Sequence, residues 1–168
     1  QDNDVLGITE SIVARAQGNY VTVDEIADEI VSKYGRRTII VYQPIYSRNR
    51  FSVILRSLCR ASEGMVYIVT PHFDEVGNPF GVNQFTGVDI GKYYEDIIES
   101  ENCKGGLRPY LGKPEEAFDD DKYLIIDCRL HSEEKWNHNN VITLKDICHD
   151  KCEWGLLGSN KATDEKLK

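Results

Sequence analysis

The sequence predicts an α/β fold, with a mixed α+β arrangement as its near variant. Three apolar runs of strand length carry that prediction: TIIVY at 38–42, MVYIV at 65–69 and YLII at 123–126. They are rich in β-branched and aromatic residues, which suit a pleated and buried surface. Around and between the first two lie segments whose apolar residues recur at helical spacing. Strands separated by amphipathic helices build layered sheets whose strands pair in parallel.

Taken in order, Val5 to Ile8 is a short branched run that reads as a buried strand. Helix-forming residues follow from Glu10 to Gln17, and Gly18-Asn19 supplies a left-handed cap. Thr22-Val23-Asp24-Glu25 is a capping-box pattern, in which hydroxyl and carboxylate satisfy each other's orphan amides. Val23, Ile26, Ala27, Ile30, Val31 and Tyr34 then form one apolar stripe, closed by Gly35. The strand at Thr38 to Tyr42 is broken by Pro44. A second amphipathic helix carries Phe51, Ile54, Leu55 and Leu58 and ends near Gly64. Pro71 stops the strand at Met65 to Val69.

The segment 71–88 is a long loop, a length that in compact domains marks a functional or mobile element. Asp89 to Ser100 reads as a helix, with Tyr93, Tyr94, Ile97 and Ile98 available for packing. From Glu101 to Asp121 glycine, proline and acid dominate, which predicts an exposed excursion. After the strand at 123–126 come a short helix near Thr143 to Cys148, the stretch GLLGSNKA, and a last helix from Thr163.

The chain has 168 residues, 40% of them hydrophobic and 29% charged, enough for one globular domain with a substantial core. A net charge of −8 leaves no basic face for nucleic acid. No apolar run approaches the roughly 18 residues that span a bilayer. The five cysteines are odd in number and lack a framework spacing, which favours a reducing cytoplasm over a secreted scaffold. Cys59 reads as a small hydrophobe. The chain opens at Gln1 and runs straight into a strand-like segment, so an upstream segment is expected.

Candidate chemistry falls in four places. Ser47-Arg48-Asn49-Arg50 lies between a strand end and a helix start, where free amides and guanidinium forks suit phosphate or carboxylate. The plainer reading is an N-cap beside solvated arginines. Gly158-Ser159-Asn160-Lys161 combines a permissive backbone with donors, without the glycine-lysine spacing of a P-loop, and also fits an ordinary turn. Glu10, Asp74, Glu75 and Asp89 are acids from separated segments, the kind of set that hard divalent cations use together with substrate phosphates. Asp89 also fits a capping box with Thr86. Cys128, His131, Cys148 and Cys152 are a lesser, rival set for structural zinc, close to finger spacing without matching it. No nucleophile elbow supports a hydrolase.

The stretches VLGITESIVARAQGNYVTVDEIA, SRNRF, DEVGN, FTGVD with its two following tyrosines, and GLLGSNKAT together resemble the coenzyme F420:L-glutamate ligases, in a bacterial branch of that family. The resemblance implies an F420 ligase-like α/β fold, a homodimer, and a γ-glutamyl ligase activity. It implies that GTP and magnesium or manganese activate a carboxylate on a phosphorylated deazaflavin coenzyme for attack by glutamate. Thr9 and Glu10 become candidate site residues with Ser47–Arg50 and Gly158–Lys161. Three departures accompany it. Gln43-Pro44 stands where the archaeal enzymes place a metal-binding Asp-Thr pair, and Arg15 and Gln17 replace a common lysine and glutamate. The chain is also shorter, lacking sequence around residues 76 to 84 and 103 to 121. Two further readings stay open: a non-catalytic ligand-binding module on the same fold, and a zinc-stapled interaction domain.

Overall fold

A computed structural model describes residues 5–8, 10–44, 49–70, 81, 86–109, 122–128, 140–153, 155–157 and 161–163. The elements, in chain order, are α1 (Glu10–Ala16), β1 (Tyr20–Thr22), α2 (Val23–Tyr34), β2 (Thr38–Tyr42), α3 (Asn49–Ala61) and β3 (Met65–Thr70). They continue with α4 (Ile90–Ser100), β4 (Lys104–Pro109), β5 (Tyr123–Asp127), β6 (Val141–Thr143) and β7 (Lys161–Thr163), with a single 3-10 turn at Gly155–Leu157 before β7.

Five strands form one sheet in the order β4-β3-β2-β5-β6, every pair parallel. Parallel neighbours need a crossover, and α3 and α4 supply the two that lead from β2 to β3 and from β3 to β4. One face of the sheet, Ile39, Val41, Val66, Ile68, Leu124 and Ile126, packs with residues of α2, α3 and α4 into the main core. The other face carries a smaller buried cluster of Ile40, Tyr42, Val69 and Ile125. Burial on both faces explains why β2 is apolar nearly throughout instead of alternating.

Local chemistry fixes the helices. The capping box forms as both bonds: the Glu25 amide donates to Thr22 Oγ1 at 3.1 Å, and the Thr22 amide to Glu25 Oε2 at 2.7 Å. Gly35 closes α2 with φ +74, its amide reaching the Val31 carbonyl at 2.9 Å. Phe51 of α3 meets Tyr94 of α4 edge to face, centroids 5.1 Å apart. Arg56 and Arg60 of α3 both bond Glu101, which follows α4.

Several expectations need correction. Val5 to Ile8 forms no strand, and Val5, Leu6 and Ile8 are exposed, because no described strand pairs with this run. Four strands escape the sequence reading, β1, β4, β6 and β7. β4 lies inside the segment expected to be an exposed excursion, and its glycines are structural. Gly105 has φ +125, and a Cβ there would stand 1.8 Å from the Val66 carbonyl oxygen. Only glycine lets this edge strand close on β3. The short helix expected at Thr143 to Cys148 is instead a series of turns after β6. Asp146 accepts from the Thr143 amide and hydroxyl at 2.7 and 2.8 Å, a cap-like pattern that Cys148, at φ +60, does not let continue. Thr163 belongs to β7, not to a helix. The remainder of the predicted last helix, and residues 71–80, 82–85 and 110–121, lie outside the described residues.

Candidate functional site

The connections determine where a crevice opens. From β2 the chain steps outward through β3 to β4, then returns across β2 to add β5 and β6 on the other side. The boundary between β2 and β5 is therefore the topological switch point, and ligands of open α/β sheets bind outside the carboxyl ends of the strands there. The same edge receives the amino-terminal ends of α3 and α4, since each is the next helix after a strand of the sheet. Those helix starts add partial positive charge.

The register names the residues at this edge. Across the face opposite the helices, Arg108, Val69, Tyr42, Asp127 and Thr143 stand at one level on five successive strands. Asp127 is only 1% exposed. A carboxylate this buried is rare unless its environment has a use for the charge. Beside it the Cys128 amide donates to the Tyr42 carbonyl at 2.9 Å, closing the ladder at the switch point. Gln43, next after β2, has φ +47, a left-handed conformation that a glutamine rarely adopts. Its amide bonds the Val69 carbonyl at 3.1 Å, and its side-chain Nε2 donates to the Tyr42 hydroxyl at 3.3 Å. Arg108 is exposed, with its guanidinium 4.7 Å from the centre of the Tyr67 ring.

Sequence reasoning missed Asp127, Tyr42 and Gln43. The available signal was an acid ending an apolar strand, YLIID, which the strand reading cut off at Ile126.

The predicted residues fall as follows. Asn49 and Arg50 open α3 at the carboxyl edge of the sheet, and Ser47 and Arg48, in the chain leading into it, lie outside the described residues. Asp89 caps α4 at the same edge, its Oδ1 accepting the Lys92 amide at 3.0 Å. Asp74 and Glu75 lie outside the described residues, in the chain leaving β3. Glu10 opens α1, and Lys161 opens β7 opposite Tyr20 of β1. β7 also lies against α1 and α3, so the beginning and end of the motif set are brought together. Thr9, Gly158, Ser159 and Asn160 lie outside the described residues.

Among the described residues no three His, Cys, Asp or Glu side chains converge on a point. Magnesium and manganese need less, since one or two carboxylates, waters and substrate phosphates complete their shell. The acids at this edge are Asp127, on the face opposite the helices, and Asp89, whose Oδ1 is engaged in capping α4. The zinc set does not come together among the described residues. Burial, with the neighbouring Asp127 charge, pushes the Cys128 thiol far up, and burial with Glu29 pushes Cys148 up to about 12. His131 lies outside the described residues.

No helix among the described residues is long and apolar enough to cross a membrane. No curated protein and no solved structure matches the chain. A family model described as F420-0:Gamma-glutamyl ligase matches residues 1–167, nearly the whole length. With the α/β sheet in agreement, the chain belongs to the F420-0:gamma-glutamyl ligase family, a family of amide-forming ligases acting on small molecules.

Proposed function

We propose that this protein joins the amine of L-glutamate to a carboxylate of a phosphorylated, deazaflavin-like acceptor, using GTP and magnesium or manganese. The observation that carries the reading is Asp127, a buried carboxylate at the switch point between β2 and β5. The sequence departure at Gln43-Pro44 argued against a metal site at the end of β2. Asp127 answers it from the next strand, at the level of Tyr42.

The γ-phosphoryl group of GTP passes to the acceptor carboxylate, giving GDP and an acyl phosphate. The glutamate nitrogen then attacks the carbonyl carbon, the C–N bond forms, and phosphate leaves with its bonding pair while the amine loses a proton. A divalent cation held at this edge would supply charge neutralisation for the transferring phosphoryl group. Asp127 and Asp89, with Asp74 and Glu75, are the residues proposed to hold it. Asn49 and Arg50 at the start of α3, with Ser47 and Arg48 just before them in sequence, are proposed to receive the phosphates, with support from the helix terminus. Thr9, Glu10, Gly158, Ser159, Asn160 and Lys161 are proposed to contact the ligand as well. The exposed apolar residues Val5, Leu6, Ile8 and Ile12 favour a homodimer.

The test is a ligation assay with F420-0, L-glutamate, GTP and manganese, read by mass of the product and by phosphate release. One amide formed per phosphate released supports the reading. No product and no heat on titration with GTP or GDP in manganese overturns it.

A further inference from the structure

Two of the five cysteines meet at the amino-terminal edge of the sheet, away from the candidate site. Cys59 lies in the last turn of α3 and is 3% exposed, and Cys103, half-exposed, immediately precedes β4. The Cys103 Sγ lies 3.3 Å from the Cys59 carbonyl oxygen and 3.6 Å from the Ser62 hydroxyl. Bond lengths then place that sulfur no more than about 6 Å from the Cys59 Cα. The Cys103 thiol also bears directly on the Cys59 thiol, through charge and a hydrogen bond.

The chain on both sides holds Cys103 there. Glu101, two residues earlier, is fixed to α3 by Arg56 and Arg60. Asn102 turns through a left-handed conformation at φ +58, and the Cys103 amide bonds the Ile98 carbonyl at 3.0 Å. The next amide, of Lys104, bonds the Gly64 carbonyl at 2.8 Å. With the backbone pinned in this way the two sulfurs stay within reach of each other, the first demand of a disulfide.

The two thiols are unequal. Burial, with Cys103 beside it, pushes the Cys59 thiol far up, so Cys59 stays protonated and shielded. Cys103 is the thiol that a dissolved oxidant reaches.

We infer that Cys59 and Cys103 are a redox pair that closes into a disulfide under a two-electron oxidant, hydrogen peroxide being the simplest. The Cys103 sulfur attacks one peroxide oxygen, and the O–O bond breaks. The sulfur becomes a sulfenic acid, and the departing hydroxide takes the thiol proton and leaves as water. The Cys59 sulfur then attacks the Cys103 sulfur. The S–S bond forms, the S–O bond breaks, and the second hydroxide takes the Cys59 proton as water. The two thiols lose two electrons together, and the peroxide is reduced to two waters. The bond joins residues 44 apart in sequence and ties the end of α3 to the start of β4, so it stabilises the fold without entering the candidate site.

The experiment treats the reduced wild-type chain with a small excess of hydrogen peroxide. Peptide mass mapping without reductant locates the bond, and thermal unfolding reads its effect. The expected product has lost two hydrogens, carries a peptide linking Cys59 to Cys103, and melts about 5 to 10 °C higher than the reduced protein. Dithiothreitol restores the original mass and Tm. In Cys59→Ala the same treatment leaves a sulfenic acid on Cys103, which dimedone traps. In Cys103→Ser, Cys59 stays a free thiol.

No linked peptide in the wild type, or a link joining any other pair, overturns the inference whatever the variants do. Cys59 that oxidises as fast in Cys103→Ser as in the wild type overturns it as well. So does a linked product whose Tm falls, since the bond would then have formed by distorting the fold.

Discussion

Arg60 holds Glu101 with two parallel bonds, Nε to Oε2 at 2.9 Å and Nη2 to Oε1 at 3.1 Å. Arg56 adds a third at 2.8 Å, and Arg60 also reaches Asp24 of α2 at 3.0 Å. One carboxylate thus ties α3 to the end of α4, and the same arginine carries the tie to α2.

Burial alone would raise the Glu101 carboxyl, but the bonds and charges of Arg60 and Arg56 hold it below the ordinary carboxylate range. A depressed carboxylate contributes stability above its unfolded pKa and loses it as pH falls through the folded value. Glu101→Gln is therefore expected to cost about 2 kcal/mol near neutral pH, where it leaves two guanidinium groups half-satisfied. The deficit shrinks as pH falls past the ordinary carboxylate range and through the depressed folded value, where wild-type Glu101 itself protonates. Urea unfolding of both proteins across that range measures it.

The paired glycines of β4 separate two kinds of crowding. Gly105→Ala drives a methyl group into the Val66 carbonyl and is expected to cost at least about 3 kcal/mol. At Gly106, φ is +130, but the nearest atom is the flexible end of Glu95 at 3.1 Å. Gly106→Ala is expected to cost only about 1 to 2 kcal/mol, mostly backbone strain. Thermal unfolding of the pair gives the comparison.

Thiol reactivity follows burial. Cys59, Cys128 and Cys148 are buried with raised thiol pKa values, while Cys103 and Cys152 are half-exposed. A chromogenic disulfide reagent is expected to label Cys103 and Cys152 in native protein and the other three only after unfolding. Peptide mass mapping of the labelled sites checks the assignment.

The proposed dimer has a direct test. Ile8→Asp with Ile12→Asp places charge on two residues that are 62% and 60% exposed. The protein is expected to keep its fold by circular dichroism and to sediment as a monomer, with wild type sedimenting as a dimer.

Much of the fold was legible because its central strands and helices announce themselves by composition and period. The capping box at Thr22 and Glu25, the stripe on α2 and the apolar β2 all follow from side-chain patterns that act locally. β4 was hidden because its stability comes from contact, not from pattern. Gly105 and Gly106 look like loop residues until the Val66 backbone is seen beside them. Val5 to Ile8 shows the reverse, since branched residues without a described partner make no ladder. At the site, the helix starts were readable as anion positions, because capping and charge are written in a few adjacent residues. The meeting of Tyr42 with Asp127 was not. It depends on which strands become neighbours, and no local signal encodes that.

The pairing of β1 with β7 has a consequence for synthesis. Tyr20 leaves the ribosome long before its partner Lys161, so the first strand has no ladder until almost the entire described chain has been made. Contacts this distant in sequence are the slowest to close. The segment around α1 therefore settles last, after the five-stranded sheet has a core of its own. A nascent chain halted before β7 would carry a formed sheet and an unlatched α1–β1 segment, a state that limited proteolysis of stalled ribosome complexes would reveal by early cuts between Glu10 and Val23.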